Sequence, residues 1–186
     1  MRLVAVVVAV TAMALALPAP SDPPSPPIRL ADRTVPLDPF ADPGDGSLPD
    51  GTTLTPFDVQ HPAIGRLDPA LLGAIQSAAT AAATEGITIT ITSGWRSPAF
   101  QQRLLENAVQ TYGSLAAARQ YVQTPTMSKH VIGKAVDVGG AGADQWLIAN
   151  GHRFGLCQIY ANELWHFEVA TDAMGTCPAV LPNAAE

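Results

Sequence analysis

The chain has 186 residues, a net charge of −6, 47% hydrophobic and 14% charged residues, and two cysteines. Its length suits one ordinary domain with extensions, and its acidic balance lacks the basic footprint that nucleic-acid binding requires. No internal repeat is present.

Met1-Arg2 precedes an apolar run over residues 3–17 that Pro18 closes, with alanines at 14, 16 and 19. This pattern is expected to be a cleaved export signal over residues 1–19, placing the protein outside the cell or in its envelope. The run falls short of the ~20 residues that span a bilayer as a helix, so an uncleaved anchor is the secondary reading. Residues 18–50 then hold ten of the 17 prolines and six aspartates. Such a stretch buries too little apolar surface to offset its ordering entropy, and residues 20–51 are expected to be a disordered linker. The folded domain is placed at 52–180, with residues 181–186 as a tail.

A helix is predicted over residues 67–83, with Asp68 as N-cap, Pro69 at the first position and Glu85-Gly86 as its stop. Residues 87–92, Ile-Thr-Ile-Thr-Ile-Thr, alternate strictly and predict a half-buried strand. Ser97-Pro98 opens a second helix to about Tyr112, and Gly113-Ser114 separates it from a helical stretch over 115–122. Residues 135–138 read as extended. Asp144 is placed as the cap of a helix over 145–150, and residues 157–160 and 165–170 as strands joined by a tight turn at Ala161-Asn162. Helices and strands interleave without a βαβ repeat, so the class is α+β with a small, mainly antiparallel sheet.

The residues that bear chemistry cluster in two segments. Ser128-Lys129-His130-Val131-Ile132-Gly133-Lys134-Ala135-Val136-Asp137 is followed 26 residues later by Glu163-Leu164-Trp165-His166. A hydrolytic metal site uses three N/O ligands and a carboxylate that takes a proton from water. Taken singly, His130 reads as a surface loop residue, Asp137 as a turn or cap and Glu163 as a solvated turn residue. On a strand, His166 and Glu168 share one face and Trp165 and Phe167 the other, so a buried His166 needs a partner for both ring nitrogens. Arg96, after a strand and before a helix N-terminus, is sited to hold an anion. Cys157 and Cys177 read most simply as a disulfide in an exported chain, with Cys157 as a metal ligand the alternative. His61 and His152 read as structural or exposed.

Ser-Gly-Trp-Arg-Ser at 93–97, Ser-x-His-x-x-Gly-x-Ala-x-Asp at 128–137 and Glu-Leu-Trp-His at 163–166 together resemble the VanY-like D-alanyl-D-alanine carboxypeptidases. These are zinc peptidases of the group that includes D-Ala-D-Ala dipeptidases and shares the hedgehog-domain fold. The resemblance implies that His130, Asp137 and His166 bind one zinc ion and that Glu163 is the catalytic base. It also implies that Arg96 binds substrate or the developing oxyanion, while Gln101, Ser128 and Trp95 line the substrate cleft. Trp95 stands where tyrosine is common, which keeps the aromatic ring and loses a hydroxyl. The implied reaction is release of the C-terminal D-Ala from a peptidoglycan stem peptide by a monomer with no membrane partner beyond its export signal.

The sequence contains no His-Glu-x-x-His and no serine followed three residues later by lysine, which removes the helical zincin and penicillin-sensitive serine routes. Two other readings use the same residues. One is an L,D-carboxypeptidase or peptidoglycan endopeptidase; the other is a zinc-containing wall-binding module without turnover, which has no need of Glu163 as a base.

Overall fold

The computed structural model describes residues 44–186; the expected export signal and most of the expected linker lie outside them. Among the described residues no helix is long and apolar enough to cross a membrane. The elements are α1 (Pro62–Gly65), α2 (Pro69–Thr84), β1 (Thr90–Ser93), α3 (Pro98–Tyr112), α4 (Leu115–Ala118), β2 (Ala135–Gly139), α5 (Ala143–Asn150), β3 (Leu156–Gln158) and β4 (His166–Val169). The strands form one sheet in the order β1-β2-β4-β3, and every pairing is antiparallel. The expected α+β class and small antiparallel sheet are therefore found.

Helix α2 begins as its sequence requires. The Asp68 carboxylate accepts the Ala70 N–H at 2.9 Å, and Pro69 occupies the first turn, where its missing donor costs nothing. Leu71, Ile75, Ala78, Ala79 and Ala82 recur at helical spacing and are buried against Ile91, Val136, Val138 and Phe167 of the sheet. Full burial of a side chain such as Leu71 or Ile75 contributes about 1.5–3 kcal/mol, so this stripe holds the helix to the sheet. Ser97 caps α3 through the Phe100 N–H at 3.1 Å, and Gly113 ends it with φ 79°, a left-handed conformation suited to glycine. A second apolar cluster, Leu104, Leu105, Ala108, Ala118 and Val122, joins α3 to α4 and the residues after it.

Several boundaries differ from the sequence-based expectation. The strand expected over residues 87–92 is only Thr90–Ser93, because β2 ends at Gly139 and the following Gly140 turns away with φ 104°. Thr88 and Ile89 thus have no ladder partner in β2, although Ile89 is buried. The helical stretch expected over 115–122 is α4 followed by turns. Asp144 does not cap α5: Gly142 is the N-cap, and Asp144 lies in the first turn with its carboxylate accepting the Gln145 N–H. The tight turn expected at Ala161-Asn162 is a seven-residue loop, 159–165, between β3 and β4.

Both ends of the domain are also packed where linker and tail were expected. Asp45 is 3% exposed; its carboxylate meets Arg103 Nη2 at 2.5 Å and its carbonyl accepts the Ser97 N–H at 2.8 Å. A Cβ on Gly46 would lie 2.1 Å from the Trp95 carbonyl, so the segment runs hard against the turn after β1. At the other end Ala184 is 3% exposed. Cys157 and Cys177 form the expected disulfide, with Cα atoms 5.6 Å apart. Removing the buried Asp45 carboxylate leaves Arg103 without this charged partner, so Asp45→Ala is expected to lower unfolding free energy by about 1.5–3 kcal/mol. Urea unfolding checks this; an unchanged midpoint would contradict the packing role.

Candidate metal centre

Strands β2 and β4 pair in a register that sets Asp137 directly opposite His166. With a side-chain period of two, Val136 and Phe167 turn to the α2 face, and Asp137, His166 and Glu168 to the other. A register irregularity in β1 between Ile91 and Ser93, also opposite Asp137, ends that strand in a bulge. Bulges re-aim the chain beside functional sites, and this one leads into Gly94, Trp95 and Arg96.

The His130 loop docks on that turn. The Gly94 carbonyl meets His130 Nδ1 at 2.9 Å, the Trp95 indole N–H donates to the Val131 carbonyl at 3.0 Å, and the Arg96 N–H donates to the His130 carbonyl at 3.4 Å. Gly133 closes the loop with φ 71°, and a Cβ there would come within 2.6 Å of the Arg66 carbonyl. His130 therefore carries its proton on Nδ1 and directs the Nε2 lone pair inward.

His130 Nε2, Asp137 Oδ1 and His166 Nδ1 form a triangle with sides of 3.3, 3.2 and 3.4 Å. Donors at about 2.0–2.1 Å from a small tetrahedral ion such as zinc lie about 3.3 Å apart, so the triangle has the size such an ion needs. This trio is a candidate metal-binding group among the described residues. His166 Nε2 reaches Glu168 Oε1 at 3.1 Å, which orients the ring so that Nδ1 faces the centre.

Electrostatics support the same arrangement. Burial, then the neighbouring Arg96 charge, hold His130 below its ordinary value. Burial also opposes ionisation of Asp137, but the two histidines outweigh it and hold the carboxyl well below the usual range. Burial favours neutral His166, yet its bonds to Asp137 and Glu168 push it up to about 10. Two imidazole nitrogens and a carboxylate oxygen at this spacing bring lone pairs together, which a hydrogen on one nitrogen or a cation between them relieves. The raised His166 value favours its proton in the bare chain, and the same three atoms could hold a metal cation in its place.

Glu163 and Arg96 stand beside the triangle. Glu163 is 7% exposed, its Oε1 has no hydrogen-bond partner among the described residues, and burial pushes it up to about 7 despite the opposing charge of His166. A carboxylate poised near neutrality and lacking a partner is suited to taking and returning a proton. Arg96 Nη2 lies 3.7 Å from Asp137 Oδ2, and its Nε is likewise buried without a partner. Burial pulls its guanidinium below the ordinary value, while Asp137 and Glu163 oppose that shift.

The other residues expected in the cleft have different surroundings. Gln101 is 1% exposed, and its amide is engaged at both ends: Nε2 donates to the Gln123 carbonyl at 2.7 Å and Oε1 accepts from Ser128 Oγ at 3.1 Å. It braces the Ser128 segment. Trp95 packs at the edge of the main core with its N–H engaged and the Arg66 guanidinium 4.4 Å over its ring. It too is a brace for the His130 loop. His61 caps α1 through its Nδ1, and His152 is exposed.

Sequence reading passed over Tyr160, whose ring lies 5.1 Å from that of His166 at a 43° tilt. Burial, then Glu168 and Glu163, push its hydroxyl up to about 12, so it stays a donor. No sequence signal marks it, because its place depends on the path of the 159–165 loop.

The family model for VanY, described as D-alanyl-D-alanine carboxypeptidase, matches residues 65–171. The chain belongs to this family. Within the VanY family, a D-alanyl-D-alanine carboxypeptidase of Enterococcus faecalis (strain ATCC 700802 / V583) is 28% identical over 127 residues, 55% of this chain and 47% of the relative. The chain thus spans about half the length of that curated relative. A solved structure of the vancomycin resistance D,D-pentapeptidase VanY from a VanB-type cassette, a point variant in complex with Zn(II), matches with TM-score 0.52 and 28% identity. That match covers 56% of this chain and 73% of the other. VanYB in complex with D-alanine-D-alanine matches with TM-score 0.52 and 27% identity over 55% and 70% of the two chains.

The Glu168 contact gives a direct expectation. Glu168→Gln should weaken metal binding by about 10–100-fold, since the partner that orients a ligating histidine contributes on that scale. Competition with a chromogenic chelator measures it, and unchanged affinity would remove Glu168 from the centre.

Proposed function

We propose that this chain is a zinc-dependent D-alanyl-D-alanine carboxypeptidase that releases the C-terminal D-Ala from peptidoglycan stem peptides. The observation that carries this reading is the His130–Asp137–His166 triangle beside the partnerless carboxylate oxygen of Glu163. Family membership and the Zn(II) and D-alanine-D-alanine complexes of the two VanY neighbours point the same way.

In this reading His130, Asp137 and His166 hold one zinc ion. When bound, zinc supplies Lewis-acid polarisation of the scissile carbonyl and makes the attacking water more acidic. Glu163 takes the proton of that water as its oxygen attacks the penultimate carbonyl carbon. It then gives the proton to the amine nitrogen as the C–N bond breaks, releasing D-Ala and a new carboxylate. Arg96 offers its buried guanidinium to the negative charge of the substrate carboxylate or the developing oxyanion. Ser128 and its Gln101 brace shape the wall behind His130. Residues 1–19 serve as the export signal, the Pro/Asp-rich stretch as a linker that lets the exported domain search the wall, and the protein works as a monomer.

Glu163→Gln should retain one zinc per chain by metal analysis and release D-Ala from a pentapeptide at least about 100-fold more slowly. Wild-type activity in that variant would remove Glu163 as the base. Activity of the wild type should disappear with a zinc chelator and persist with penicillin. Cleavage of tetrapeptide alone would transfer the reading to an L,D-carboxypeptidase, and zinc binding without turnover would transfer it to a binding module.

A further inference from the structure

The residues after Thr171 lie outside the span matched by the family model, yet they are fastened to the loop that carries Glu163. The disulfide anchors Cys177 to Cys157 on β3. Leu181 N–H donates to the Ile159 carbonyl at 2.9 Å, and Ala161 N–H donates to the Leu181 carbonyl at 2.8 Å, so one residue brackets Tyr160 with two backbone bonds. Buried Ala184 donates its N–H to the Gln120 carbonyl at 3.3 Å, the same carbonyl that accepts Asn162 Nδ2 at 2.8 Å.

Loop 159–165 needs such an external hold. Its internal bonds are short-range turns, Glu163 N–H to the Tyr160 carbonyl at 3.3 Å and His166 N–H to the Glu163 carbonyl at 3.1 Å, while Trp165 at its β4 end is held to the sheet by the Val138 N–H at 2.9 Å. The three metal donors have firmer supports: sheet pairing for Asp137 and His166, and the Gly94 carbonyl for His130. Glu163 also keeps a carboxylate oxygen buried without a partner, which is costly and favours swinging it out to water. The Tyr160–Glu163 part of the loop lies outside the sheet ladder and carries an unsatisfied buried oxygen, and such a segment opens easily unless something outside it resists.

We propose that residues 177–184 form a strap that holds the Glu163 loop against the metal centre, with Cys157, Cys177 and Leu181 as positioning residues for the base. The consequence for turnover rests on the carboxypeptidase reading above; the hold on the loop does not. Removing the strap frees Glu163 while leaving the three donors on β2, β4 and the His130 loop in place, so proton transfer suffers and metal binding does not.

The test is hydrogen–deuterium exchange by mass spectrometry on the full chain loaded with zinc, comparing peptides covering 159–165 and 135–139. Leu181→Pro deletes the N–H that bonds Ile159, and a Cys157→Ala/Cys177→Ala double variant removes the anchor without touching the backbone bonds. Both should exchange at 159–165 at least about tenfold faster than wild type, with 135–139 unchanged as proof of folding. Leu181→Ala, which keeps both backbone bonds, should retain wild-type exchange. In the two strap variants kcat for D-Ala release should fall at least about tenfold with one zinc still bound per chain. Unchanged exchange at 159–165 in the double variant would overturn the strap, and so would faster exchange with wild-type kcat. If wild type releases no D-Ala, the carboxypeptidase reading fails and the exchange comparison alone decides the strap.

Discussion

Asp137 and His166 face each other across one register of β2 and β4, and the rest of the site is arranged around that pairing. Both are polar groups on the sheet face opposite α2, buried where an unpaired charge would be costly. The sheet brings a carboxylate oxygen and an imidazole nitrogen to 3.2 Å, and the His130 loop supplies a third donor at nearly the same spacing. Such convergence needs a hydrogen or a cation between the lone pairs. A one-residue slip of β4 would send His166 to the α2 face and Phe167 out of the core, so core packing and site geometry enforce the same register.

The surrounding residues hold this centre from three directions. The bulge at the end of β1 aims Gly94 and Arg96 at it, one as the acceptor that fixes the His130 tautomer and the other as a buried cation 3.7 Å from Asp137. Trp95, Gln101 and Gly133 keep the His130 loop in place. Segments at the two ends of the described chain, around Asp45 and around Leu181, brace the Arg96 turn and the Glu163 loop respectively. Neither end lies in the span matched by the family model, residues 65–171.

Much of this was legible in the sequence because it rests on local rules. Asp68-Pro69 and Ser97-Pro98 announce their helices through capping that involves only near neighbours. The motif residues His130, Asp137, Glu163, His166 and Arg96 meet in space as their resemblance implied. The misreadings arose where a partner elsewhere decides. The Ile-Thr alternation over 87–92 is a full strand pattern, but β2 is too short to pair with all of it. Asp144 has a capping side chain, but Gly142 reaches the left-handed conformation that starts α5. The hydrogen bonds of Gln101 and Trp95 to the Gln123 and Val131 carbonyls likewise depend on partners distant in sequence.

By itself the sequence determined the inventory: the element types and the disulfide-forming pair through propensity, periodicity and side-chain chemistry, and the donor residues through the motifs that carry the family resemblance. Only the tertiary structure decided how those donors are oriented and held. The 3.2–3.4 Å triangle, the tautomers set by Gly94 and Glu168, and the burial that brings Glu163 to about 7 depend on groups distant in sequence. So do the placing of Tyr160 against His166 and the anchoring of both ends of the described residues. The physical reason is that register, desolvation and hydrogen-bond pairing are relations between segments, and each takes its value only when the segments meet.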